Sequence, residues 1–279
     1  MIAIRLRLGL LPLVAVLSMP LLATEPAAPM KQLLEAATGH RVLLVGEIHG
    51  TAEVPALVAD LADALAAEEP LVVGLELPRD EQKRIDAFLD SAGTGEDRAA
   101  LLAGKFWTRD YQDGRSSLAM LELLERLRQL RLRTPIEVLA LDQVGAAVAD
   151  GDARDQAMAE GLSEALKAQP KARALVLAGN FHTRLQKGAP WDESHEFLGY
   201  RLSRFEPYAI EIMGVAGSAW ICTGPETDSC KARDFPESNL KPGIELGDEV
   251  NERGHQGMWR LERTSASPPA RLAVAERVE

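Results

Sequence analysis

Short unbroken apolar runs along this chain alternate with longer stretches in which apolar residues recur at helical spacing. The runs at 41–46, 71–75, 136–141 and 174–178 have the length and composition of strands buried on both faces of a parallel sheet. Three more strands are predicted at 208–213, 219–222 and 258–262. Between the first two runs, Val54, Leu57, Val58, Leu61 and Leu65 fall on one helical face. Leu118, Leu121, Leu124, Leu127 and Leu130 line a longer helix, and further helices are expected at 30–37 and 154–168. Strands alternating with helices predict an α/β fold, a doubly wound, mainly parallel sheet. The mostly helical stretch at about 79–133 reads as a helical insertion, and 224–257, rich in Gly, Pro and Asn, reads as long loops. No linker divides the chain, so residues 24–264 form one domain, followed by a polar, Pro-containing tail at 265–279 that is expected to fray.

Two of the apolar runs continue in the same way. VLLVGEIH, from Val42 to His49, and LVLAGNFH, from Leu175 to His182, each pass a glycine, then a polar residue, then an apolar residue, and end on histidine. Residues i and i+2 of an extended segment point the same way, so Glu47 should project with His49, and Asn180 with His182. Glu76 and Asp142 also follow strands directly. Ligands of open α/β sheets gather beyond the carboxyl ends of the strands, and these groups should converge there. Glu47, His49, Glu76 and His182 are therefore the candidate catalytic residues, with His49 or His182 as a general base oriented by a carboxylate. The same four suit a divalent metal such as Mn, Zn or Fe. Arg109, Arg115 and Arg154 could clamp an anionic group or neutralise the carboxylates.

Blander roles compete with these. Asp142 is a common residue for the turn after a strand, Asn180 could satisfy backbone groups, and Arg154 with Asp155 could be a solvated helix start. His40 and His255 stand in polar loops with no echo elsewhere. His195 lies between Ser194 and Glu196, and three adjacent residues cannot face one another as a triad. The chain lacks G-x-G-x-x-G, G-x-x-x-x-G-K, H-E-x-x-H and G-x-S-x-G, which disfavours nucleotide binding, zincin chemistry and a hydrolase-type serine.

Residues 1–23 carry Arg5 and Arg7 ahead of an apolar stretch broken by Gly9 and Pro12, with Ala23 before the expected cut. That is the pattern of a signal peptide, too short for a comfortable membrane span. It implies a periplasmic or secreted protein with no stable membrane anchor after cleavage. Its removal takes the formal net charge from −11 to −13, which argues against nucleic acid as a partner and leaves a small-molecule ligand or substrate. Whether two chains pair as a homodimer is left open. Cys222 and Cys230 are the only cysteines. In an oxidising compartment they are expected to form a structural disulfide away from the His/Glu cluster, contributing about 2–3 kcal/mol by loop closure.

The segments VGEIHG (45–50), GLE (74–76), Phe106-Trp107, DGRSSLAM (113–120), Arg154-Asp155 with Met158, and GNFH (179–182) together resemble the ChaN-like haem-binding proteins, within a superfamily that also holds erythromycin esterases and the TraB/Tiki proteins. They span 41 to about 205. The resemblance implies two activities: a hydrolase acting on ester, lactone or amide bonds, or a non-catalytic haem or iron carrier involved in haem uptake. In the ChaN-like branch haem is held through a tyrosine, for which Tyr111, Tyr200 and Tyr208 are the choices here. The aromatic, basic loop of Trp107, Arg109, Tyr111 and Arg115 could cover a porphyrin. The lipid-anchoring cysteine of that branch is missing.

Overall fold

Each apolar run forms a strand because its side chains find a helix layer on either side. In a computed structural model, which describes residues 27–143, 150–224, 226–236 and 238–275, the chain runs as follows. The first half comprises α1 (Ala28–Ala36), β1 (Val42–Glu47), α2 (Glu53–Ala66), β2 (Leu71–Pro78), α3 (Gln82–Leu89), α4 (Gly95–Leu102), α5 (Lys105–Thr108), α6 (Leu118–Arg131) and β3 (Ile136–Asp142). The second half comprises α7 (Gly151–Ala168), β4 (Arg173–Gly179), α8 (Leu198–Arg201), β5 (Pro207–Gly214), β6 (Gly217–Cys222), β7 (Cys230–Phe235), β8 (Gly243–Leu246), β9 (Gly257–Leu261) and α9 (Ala270–Ala275). The signal segment expected at 1–23 lies outside the described residues. Among those residues no helix is long and apolar enough to cross a membrane.

Seven strands form one sheet in the order β3-β2-β4-β1-β5-β9-β8, parallel except for the β8–β9 pair at one edge. Period-two alternation sorts the side chains. Leu43, Val45, Val73, Leu75, Leu175 and Leu177 pack with the helices of one face, among them α2 and α6. Val42, Leu44, Val72, Ala174 and Val176 pack with α7 and α8 on the other. The doubly wound, mainly parallel sheet expected from the pattern is therefore present.

Three expectations change. The helical stretch at 79–133 is the β2–β3 crossover: α3 and α4 pack together, and α6 lies against α2. The region 224–257 holds β7 and β8, whose residues alternate between exposed and half-buried and carry little apolar content to reveal them. The tail is docked as far as it is described. Ala266 bridges Thr51, Pro269 bridges Ser117, Ser267 Oγ accepts the Ala119 N–H at 2.9 Å, and Ala270 is buried.

Candidate functional site

The β1/β4 register pairs Glu47 with Gly179, so both repeated motifs leave the sheet at the same level. β2 lies on the other side of β4, and its Glu76 carboxylate accepts the Gly179 N–H at 2.7 Å through Oε2. His49 then spans two carboxylates, with Nδ1 on Glu47 Oε1 at 2.9 Å and Nε2 on Glu76 Oε2 at 3.1 Å. Both acids are buried, whereas the imidazole side chain is 25% exposed.

Two arginines close the cluster from other elements. Arg115 follows a turn capped by Asp113, which accepts its backbone N–H at 3.1 Å and its Nη2 at 2.8 Å. Its Nη1 reaches Glu76 at 3.1 Å and Asp142 at 2.7 Å. Arg154 stands in the first turn of α7, whose N-cap Asp150 accepts the Ala153 N–H. It donates to Asp142 through Nε at 2.6 Å, to Glu76 through Nη2 at 2.6 Å, and to His182 Nε2 at 3.0 Å. A guanidinium only donates, so His182 Nε2 accepts and its proton sits on Nδ1, directed at Asp155 Oδ1 at 2.7 Å.

Charge follows from this wiring. Burial alone would neutralise His49, but the Glu76 charge and the hydrogen bonds to Glu47 and Glu76 outweigh it and raise its pKa to about 10. Burial raises Glu47, partly offset by His49. Burial also works against Glu76, but His49 and Arg115 hold it well below the usual carboxylate range. Four acids (Glu47, Glu76, Asp113, Asp142) thus meet three guanidinium groups and one imidazolium, Arg109 joining through an ion pair with Asp113 at 2.8 Å.

Above it lies a cavity of about 420 Å³, within the range of small-molecule sites. Glu47, His49, Glu76, Tyr111, Arg115, Arg154 and His182 line it, with Phe181, Trp220 and Cys222 as further walls.

Residues 33–133 match the family described as haem-binding uptake, Tiki superfamily, ChaN. Over that stretch, a little over a third of its length, the chain is similar to this family. Its fold is similar to an erythromycin esterase variant in an open conformation, at 10% identity and TM-score 0.62, covering 86% of this chain and 95% of that one. It is similar too to a succinoglycan biosynthesis protein, at 10% identity and TM-score 0.64, covering 88% and 93%. A Bacillus cereus protein matches at 12% identity and TM-score 0.59, covering 86% and 92%. No curated protein matches the sequence.

The ChaN-like reading can be tested against the side chains present. The donor set does not fit a divalent metal. Both nitrogens of His49 and of His182 are engaged, Glu76 is held by two guanidinium groups, and a dication would face those fixed charges. Among the described residues no group of three or more His, Cys, Asp or Glu has the geometry of a metal site. A haem cover of the expected kind does not form either. Trp107 is buried in the core against Phe106, and Arg109 stacks over Phe106 at 4.3 Å while pairing with Asp113. Tyr111 does line the cavity, and a phenol oxygen suits haem iron. Tyr208 is buried against His40, and neither it nor Tyr200 lines the cavity.

Two further expectations are corrected. Asn180 turns away from His182 and donates to Glu211 Oε1 on β5 at 2.9 Å. The Cys222–Cys230 disulfide is present as a cross-strand pair of β6 and β7, but Cys222 stands in the cavity wall rather than apart from the cluster. Sequence reasoning also passed over Asp155 and His195. Asp155 is buried, and it orients His182 while binding His195 Nε2 at 2.9 Å and the Leu198 N–H at 3.0 Å. Its one local signal was its place beside Arg154 in the first turn of a helix. His195 carried none, because its partner lies 40 residues away. His255 is likewise buried, with Nε2 on the Thr183 hydroxyl at 2.9 Å. Burial, aided by Arg253 and Arg184, lowers its pKa to about 4.

Proposed function

We propose that this protein is an exported hydrolase of ester, lactone or amide bonds in which His49 transfers the protons. The observation that carries this reading is the row Glu47–His49–Glu76 at the floor of the cavity, with the imidazole as its solvent-reachable member. A pKa near 10 makes His49 an acid at neutral pH, which replaces the base role expected from sequence. Nε2 is the nitrogen free to turn toward a substrate. If His49 leaves Glu76, that carboxylate keeps Arg115, Arg154 and the Gly179 N–H. If it leaves Glu47, both oxygens of a buried acid stand without a partner, since Glu47 Oε2 already has none. Glu47 is therefore the orienting carboxylate.

In this reading the scissile carbonyl sits over His49, and the positive rim of His49 and Arg154 stabilises the oxyanion formed when water adds. Nε2–H passes its proton to the leaving oxygen or nitrogen, and Nε2 then takes one from the added water, so protons balance without a second base. The esterase among the structural neighbours supports an ester by fold analogy only. Export is supported by the basic and apolar pattern of residues 1–23 and by the disulfide, which suits an oxidising compartment. A screen of the mature protein on ester, lactone and amide substrates tests the reading. Turnover lost in His49→Gln with the fold retained supports it, and a screen with no turnover above buffer ends it. N-terminal mass analysis of exported protein checks the cut after Ala23.

A second reading has one observation in its favour: Tyr111 is the one tyrosine of the chain that lines the cavity. A haem carrier would bind iron through it. A haemin titration followed by visible absorption should then give a saturable Soret shift that Tyr111→Phe abolishes. Absence of a shift at stoichiometric haemin removes this alternative.

A further inference from the structure

Two of the large apolar side chains left exposed stand together at the edge of the candidate site. Phe181 is 42% exposed and Trp191 65%, with their ring centroids 5.2 Å apart at 61°. Phe181 lies between Asn180 and His182 and belongs with them to the wall of the cavity over His49. Trp191 is not part of that wall, so the pair begins at the cavity and extends beyond it. Both rings are held in place. Phe181 packs against the buried Phe197 at 6.2 Å, and the Arg184 guanidinium lies over both phenyl rings. Trp191 sits at the tip of a tight turn in which Ala189 and Asp192 exchange both backbone hydrogen bonds, at 2.8 and 3.1 Å. Asp192 Oδ1 accepts the Ser194 N–H and hydroxyl. The residues that follow are tied to α7, His195 through Asp155 and the Glu196 N–H through Asp152. A tryptophan kept exposed on a fixed turn forgoes the burial its ring would gain, and a ligand can use it at little cost in ordering. Exposed apolar groups rimmed by polar ones mark interaction sites.

We infer that Phe181 and Trp191 form a platform for a pyranose ring of the substrate, so that the compound entering the cavity is an acylated sugar. The form of the platform selects this class. It is an open lip, whereas an aryl group gains most from a concave apolar enclosure. A pyranose ring carries C–H bonds on its faces and hydroxyls around its edge, so it can lie on an aromatic face with its rim in water. Asp192 and Glu193, both exposed, follow Trp191 directly, and exposed Lys187 stands on the same loop, which offers the hydroxyls charged partners. With the ring on Phe181, an acyl group on its edge stands at the cavity that holds His49. That the acyl group is cleaved rests on the hydrolase reading; that the platform binds the ring does not.

The test separates the two. Protein labelled with 5-fluorotryptophan carries four fluorine reporters, and the resonance missing in Trp191→Phe is that of Trp191. Cellotriose, maltotriose and triacetylchitotriose are titrated against it, with benzyl alcohol as the aryl probe. At least one trisaccharide should shift the Trp191 resonance saturably, and Phe181→Ala should weaken that binding about three- to tenfold. Should Phe181→Ala not fold, Trp191→Ala at its exposed tip serves in its place, read by calorimetry with the same trisaccharide. No shift with any of the three, or benzyl alcohol binding as well as they do, overturns the platform as a sugar site. Independently, Trp191→Ala should lower kcat/KM on the acetylated trisaccharide about three- to tenfold more than on ethyl acetate. A trisaccharide shift with no ester turnover sinks the hydrolase reading and leaves the platform standing. Ester turnover with no trisaccharide shift overturns the platform and leaves the hydrolase reading intact.

Discussion

The ends of β1 and β4 read as copies in sequence and are opposites in structure. His49 lies between two acids and is held as a cation, whereas His182 lies between an acid and a guanidinium and keeps Nε2 as an acceptor. The polar residues before them diverge as well. Glu47 stays with its histidine, and Asn180 leaves for Glu211 and β5. The motif fixes where an imidazole stands, but residues supplied by β2, α7 and the 113–115 turn decide its charge. One end therefore suits proton transfer, and the other suits anchoring.

The largest effect that separates them is catalytic. His49→Gln should lower kcat/KM of the proposed hydrolysis by about 10²–10⁴-fold, the usual contribution of a positioned acid or base. His182→Gln should cost an order of magnitude or less while loosening the Asp155 contacts. Equal losses would show that the two ends act alike. Arg154 touches both, so Arg154→Met should erase much of their difference. It also leaves Asp142 and Glu76 short of a buried partner, and a denaturant midpoint should report about 3 kcal/mol of lost stability, Arg115 still compensating in part.

The pH dependence is more graded. If the acid form of His49 is active, the rate should hold through neutral pH and fall as pH rises through about 10. Glu47→Gln removes a neighbouring negative charge, so that alkaline limb should move to lower pH; an unmoved limb would exclude Glu47 as the partner of His49. Stability carries the same signature. The folded pKa of His49 lies above its ordinary value of 6.5, so its contribution is complete below about 6.5 and is lost as pH rises toward 10. His255 behaves in reverse: with a folded value near 4, its contribution is present above 6.5 and is lost as pH falls toward 4. Melting across pH with His49→Gln and His255→Gln should remove one flank each. Smaller still, Asn180→Ala should cost about 1.5 kcal/mol, the low end for a hydrogen bond to a carboxylate, because Arg253 still holds Glu211. The smallest change expected is none at all: EDTA should leave turnover untouched, because guanidinium groups occupy the positions a dication needs.

The sheet was legible because buried parallel strands leave continuous apolar runs, and the strand-end acids and histidines could be found from those runs alone. What lay beyond reach was whatever depended on partners distant in sequence. The Asp155–His195 pair joins a helix to a loop that sequence periodicity cannot bring together. Trp107 sits among polar and charged residues that suggested a ligand-facing loop, yet α5 turns it into the core. β7 and β8 are half-exposed edge strands whose polar residues mimic loops. The docked tail is held largely by backbone bridges and buried Ser and Thr, which no hydrophobic pattern records.

The turn after His49 is a crowded junction. Gly50 has φ +90°, and a Cβ there would lie 2.2 Å from the Trp220 carbonyl of β6. Its own carbonyl accepts N–H groups from both Trp220 and Ser267. Gly114 presses on the same backbone, where a Cβ would lie 2.2 Å from Gly50 N. The Glu47–His49 loop is thus clamped by three segments far apart in the chain, two of them beyond the stretch that matches the ChaN family. The site is consequently not a portable motif. A graft of residues 42–51 into another parallel sheet would transfer the imidazole and lose its posture, and recombination between relatives would have to exchange the β6–β7 hairpin and the C-terminal strap together with β1.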